Sequence, residues 1–83
     1  LTVNATSANI TTNISGTPHS WSFDNNGRLT IPTTAAIPVS SVGASGDVAG
    51  MVVANSTHLF YCTGSFDDST NIWKRVAWSN DTW

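Results

Sequence analysis

One cysteine, two histidines and five aspartates are the side chains of this 83-residue sequence best suited to attack a substrate, relay a proton or bind a metal. Their spacing decides which of these they do. A thiol nucleophile would be Cys62, activated by a histidine that an acid holds in place. Cys62 lies inside the run His58-Leu-Phe-Tyr-Cys-Thr63, where a free cysteine is expected to pack in a core. His58 opens that run and reads as a turn-edge or interface residue, while His19 follows Pro18 in a loop. No Ser-His-Asp order and no Gly-x-Ser-x-Gly elbow accompanies them. Glycoside hydrolysis needs two carboxylates on either side of the scissile bond. Asp67 and Asp68 are the only adjacent pair, and successive side chains of an extended loop point apart.

Metal and phosphate chemistry meet the same obstacle. Asp24-Asn-Asn-Gly27 has the acid-rich turn of a calcium loop, but Ser22 would hold its first liganding position and Thr33 its closing bidentate position. His19, His58 and Cys62 have no zinc-like spacing. Gly43, Gly46 and Gly50 surround Asp47 without the Gly-Lys-Ser/Thr of a phosphate cradle. Asp47 is therefore expected to bond nearby backbone amides in a turn. The expectation is a non-enzymatic protein with no catalytic, metal or cofactor residues.

The aromatic residues offer a different chemistry, because sugar faces stack on flat rings. Each aromatic also buries ~150–250 Å² when it packs. Trp21, Phe23, Trp73 and Trp78 lie in strand-like runs and are expected, with Trp83, to serve packing or an interface. Phe66 stands in a polar loop beside Asp67 and Asp68, so these three are the expected receptor contacts.

The elements that position these residues must be strands. Ser, Thr and Asn make up 31 of the 83 residues, and they compete with a helical backbone through local hydrogen bonds. With Thr, Val and Ile favouring strands, the composition implies an all-β chain rich in turns. Three basic residues and a net charge of −2 cannot make the electrostatic footprint of a nucleic-acid binder. No apolar run reaches the ~20 residues of a membrane span, so membrane insertion is not expected. A start at Leu1 without methionine is expected of a processed product or the C-terminal piece of a longer protein.

A domain of this size hides only somewhat more than ~60% of its unfolded surface, and one cysteine cannot form an internal disulfide. Oligomerisation is the expected source of the missing stability.

Along the chain, residues 1–19 form an extended polar segment with Leu1, Val3, Ile10 and Ile14 as isolated apolar points, suited either to a flexible linker or to pairing with neighbouring chains. A β-hairpin is expected over 20–32, with Trp21 and Phe23 on one face, Leu29 and Ile31 opposite them, and Asn26-Gly27 as its turn. Residues 33–45 read as a linker. Residues 46–83 read as a terminal module with strands at 51–54, 58–63 and 72–78. On the last strand Ile72, Lys74, Val76 and Trp78 are expected to face one way and Trp73, Arg75 and Ala77 the other. Asn4, Asn9, Asn13, Asn55 and Asn80 each begin an Asn-x-Ser/Thr sequon, a glycosylation acceptor only where the source provides the machinery.

Gly46-Asp-Val-Ala-Gly-Met51, Tyr61-Cys-Thr63 and Ile72-Trp-Lys-Arg-Val76 resemble, in order and spacing, a module found at the distal ends of bacteriophage fibre proteins. Trp21-Ser-Phe-Asp-Asn-Asn-Gly-Arg-Leu-Thr-Ile-Pro32 is similar to a short repeat of phage tail-fibre sequences. The resemblance implies a virion protein outside the cell: a hairpin plus a three-stranded antiparallel meander, completed by homotrimerisation. Its partners would be other virion proteins and a host surface receptor such as a glycan. Two alternatives stand beside it, a carbohydrate-binding module of a secreted or surface protein and a head or neck fibre with a purely structural role.

Overall fold

A computed structural model of the chain describes residues 6–13 and 16–83. Leu1, Val3, Asn4 and Ile14 lie outside the described residues. The elements are β1 (Ser7–Thr12), β2 (His19–Asp24), β3 (Leu29–Thr30), β4 (Val52–Ala54), β5 (His58–Cys62) and β6 (Trp73–Ala77). They form two three-stranded antiparallel sheets, ordered β1-β2-β3 and β4-β5-β6. Among the described residues there is no helix, as the composition implied. The chain divides into two compact units, Leu1–Pro32 and Thr33–Trp83, with one sheet in each.

In the first unit the hairpin turn is built by one carboxylate. Asp24 Oδ1 accepts hydrogen bonds from the backbone amides of Asn26 and Arg28, both at 2.9 Å, and Oδ2 accepts from Arg28 Nε at 2.8 Å. Gly27 takes φ 79°, which a residue with a Cβ rarely adopts. The turn sets the register Phe23↔Leu29, the pairing expected from the alternation. Ile31 lies past the end of β3, next to Pro32.

The polar segment contributes a strand as well. β1 pairs along all of β2, with Ala8 opposite Phe23, Ile10 opposite Trp21 and Thr12 opposite His19. Ala8, Ile10, Trp21 and Phe23 therefore share one face with Thr12 and His19, while Ser7, Asn9 and Thr11 meet Asp24, Ser22 and Ser20 on the other. Thr11 and Ser20 join there through their hydroxyls at 2.8 Å.

In the second unit Asn55 closes the β4–β5 turn. Its Oδ1 accepts from the amides of Thr57 (2.9 Å) and His58 (2.8 Å) and from the Thr57 hydroxyl. Asparagine favours such turns because its amide mimics a backbone carbonyl. At the far end of the hairpin the Gly50 amide donates to Cys62 O and the Cys62 amide donates to Met51 O, each at 2.9 Å. Two residues thus oppose one, a bulge that ends regular pairing and starts β4 at Val52.

β6 pairs with β5 through Cys62↔Trp73 and Phe60↔Arg75, and Phe60, Cys62 and Trp73 gather on one face. Together with Ile72 they form the core cluster, against which Val53 and Phe66 pack. The expected alternation fails at one residue. Ile72 precedes the strand, its carbonyl accepting from the Thr63 amide (2.7 Å) and hydroxyl (2.8 Å), and it joins Trp73 in the core instead of facing away with Lys74.

Candidate attachment surface

The loop that follows β5 is assembled from its own polar residues. Asp67 Oδ1 accepts from the backbone amides of Ser69 (3.0 Å) and Thr70 (2.7 Å), and Oδ2 accepts from the Thr70 hydroxyl. Hydrogen bonds to an ionised carboxylate favour that form. The Thr70 hydroxyl first, then the Thr70 and Ser69 amides, hold the Asp67 carboxyl down at about 2. Asp68 sits in the left-handed region with φ 64°, a conformation aspartate tolerates better than most residues.

Phe66 anchors this loop from below. Its ring packs on the core cluster, and its amide donates to Asp47 O at 3.0 Å. The three residues expected to meet a receptor therefore differ in what they present. Asp67 spends both oxygens on its own loop, Phe66 is half-buried, and Asp68 is exposed at the loop's bend.

A second constellation was only half legible. Asp47 Oδ2 accepts from the Ala44 amide and from Trp73 Nε1, both at 2.8 Å. The turn bond to Ala44 is the one expected of Asp47. The bond to Trp73 lies 26 residues away in sequence, and no local pattern announces it. Around it, Ser41 O accepts from the Trp73 amide at 2.9 Å and Ser41 Oγ donates to Asn71 Oδ1 at 2.7 Å. The segment expected as a linker is thus bound along the start of β6.

The tryptophans fall into distinct environments. Trp73 is 7% exposed, so its ring cannot stack on a sugar. Trp78 is about half exposed and donates Nε1–H to Asn55 O at 2.9 Å. Trp21 is half-buried, and Trp83 is fully exposed at the end of the chain. An open groove of about 550 Å³ is lined by Ile37, Val39, Met51, Val52, Asp47 and Trp73 among others. Its walls are mostly aliphatic side chains rather than flat rings. Cys62 is completely buried, its Sγ donating to Gly64 O at 3.1 Å, which is the packing role expected of it.

Both sheets show water an apolar face. On the first sheet these are Ile10, Phe23 and Leu29; on the second they are Val52, Tyr61, Val76 and Trp78, with Lys74 among them opposite Tyr61. The chain matches no family model, no curated protein and no solved structure in comparisons with known proteins.

Proposed function

We propose that this chain is a C-terminal segment of a bacteriophage fibre, a non-enzymatic virion component that assembles as a homotrimer and takes part in host attachment. The observation that carries this reading is the large apolar side chains that each sheet leaves uncovered. Each unit builds strands with good register and tight turns, yet among the described residues only Ala54, Phe60, Cys62, Ile72 and Trp73 are buried apolar side chains. A small fold with so few buried side chains gains its remaining stability from association. The sequence resemblance to fibre tips supplies the virion context, and function is assigned at the level of that context rather than from fold alone.

In this reading the loop at 64–70 is the surface offered to a host receptor. Its order comes from Asp67, its anchorage from Phe66, and its exposed charge from Asp68. The test is to replace Phe66, Asp67 and Asp68 in fibre-bearing particles and to measure particle yield and host adsorption separately. Normal yield with lost adsorption supports attachment through the loop. Normal adsorption with failed assembly assigns the chain a structural role in the fibre.

A further inference from the structure

We infer that copies of this chain associate through the apolar face of the first sheet, so that Ile10, Trp21, Phe23 and Leu29 of one copy pack against the same face of the others. The inference rests on the homo-oligomeric reading above and names the surface that does the work.

The first unit is a single layer. None of its described residues is buried to the degree of the five core residues, all of which lie in the second unit. Stable domains need two packed layers around a common core, and a three-stranded sheet persists when its hydrophobic face is covered. The pattern states which face that is. Ala8, Ile10, Trp21, Phe23 and Leu29 align on one side through the registers Ile10↔Trp21, Ala8↔Phe23 and Phe23↔Leu29. The opposite side carries Ser7, Asn9, Thr11, Ser20 and Ser22, which water satisfies.

The area is of the right size. Ile10, Phe23 and Leu29 leave 62%, 50% and 55% of their surfaces exposed. With the partly exposed Trp21 this comes to roughly 300–400 Å² of apolar surface, the scale at which a patch marks a contact site. A standard interface removes about 800 Å² from each partner, of which about 57–65% is apolar. This face supplies most of that apolar share.

Its chemistry selects a copy as the occupant. Among the described residues of this sheet no lysine, arginine, aspartate or glutamate lies on this face, where His19 is the one titratable side chain; Asp24 belongs to the polar side. A face carrying several like charges would repel its own image, and this one carries none of the four always-charged side chains.

The test uses the whole 83-residue chain and compares mass by light scattering, over a dilution series, for the wild type, Ile10→Lys, Leu29→Lys and, as the opposite-face control on β1, Asn9→Lys. The two face residues are more than half exposed in the single chain, so lysine there meets no clash within it. The expected result is a wild-type multimer, at least tenfold weaker association in Ile10→Lys and Leu29→Lys, and no change in Asn9→Lys. Leu29→Cys should also form intermolecular disulfides under mild oxidation while Asn9→Cys does not, a readout that needs no disruptive substitution. A wild-type multimer indifferent to both lysines, with no Leu29→Cys cross-link, overturns this surface and leaves the oligomeric reading standing. A wild-type monomer overturns both, and protection of Trp21 from quenchers in that monomer would identify the chain's own second unit as the cover.

Discussion

Trp73 Nε1 donates to Asp47 Oδ2 at 2.8 Å, and the same oxygen accepts from the Ala44 amide. One carboxylate oxygen thus closes a local turn and ties it to a buried strand residue. Hydrogen bonds to charged groups are each worth about 1.5–3 kcal/mol. Asp47→Ala should lower unfolding free energy by about 2–3 kcal/mol, given that both bonds share one acceptor. Asp47→Asn, which keeps an acceptor, should lose less. Urea unfolding followed by tryptophan fluorescence measures both.

Gly43 lies against this pair. A Cβ at Gly43 would stand 2.5 Å from Asp47 Oδ2 and 2.8 Å from the Trp73 ring, and the residue's φ is +80°. Gly46 also has positive φ, +97°, but a Cβ there meets nothing within 4 Å. Gly43→Ala should therefore cost about 2–4 kcal/mol, from overpacking plus backbone strain, and Gly46→Ala about 1–2 kcal/mol from strain alone. Equal losses in the two variants would show that contact with Asp47 and Trp73 contributes nothing.

The Asp67 loop should respond to acid. Its folded value of about 2 lies below the ordinary 3.8, so the carboxylate's contribution is present above pH 3.8 and is lost as pH falls through about 2. The Ser69 and Thr70 amide resonances should titrate with a midpoint near the lower value. Asp67→Asn should abolish that titration, and a midpoint at 3.8 would mean that the Thr70 and Ser69 bonds do not hold in solution.

Asp68 tests the backbone at the loop's bend. At φ 64° a β-branched residue is strained, so Asp68→Val should cost about 1–3 kcal/mol while Asp68→Gly stays within about 0.5 kcal/mol of wild type. Thermal unfolding of the three proteins gives the order.

Cys62 is fully buried and should resist thiol reagents in the native protein, reacting only at the rate of unfolding. Fast modification of the folded chain would contradict its packing role.

Much of the fold was legible because alternation and turn chemistry agree locally. Asn26-Gly27 fixed a hairpin whose register is Phe23↔Leu29, and Asn55 marked the turn before His58. The three terminal strands fall within a residue or so of their expected limits. What the pattern did not show was long-range. β1 has only Ala8 and Ile10 as apolar points, too few to mark a strand by themselves, and its partner β2 lies beyond residues 13–18. The bond from Trp73 to Asp47 spans 26 residues, beyond any turn motif. Ile72 misled because strict alternation holds inside a strand, and the strand begins one residue later. At the loop, sequence placed Phe66, Asp67 and Asp68 together but could not tell that Asp67 is consumed internally while Asp68 is offered outward.

We propose that copies of the chain cover the apolar side chains that single chains leave exposed. The most direct measurement is the solution mass of the 8.8 kDa chain, by light scattering coupled to size exclusion across a dilution series. The expected result is a mass three times that of the chain, persisting on dilution. A well-folded species at the mass of one chain, at every concentration, would contradict it.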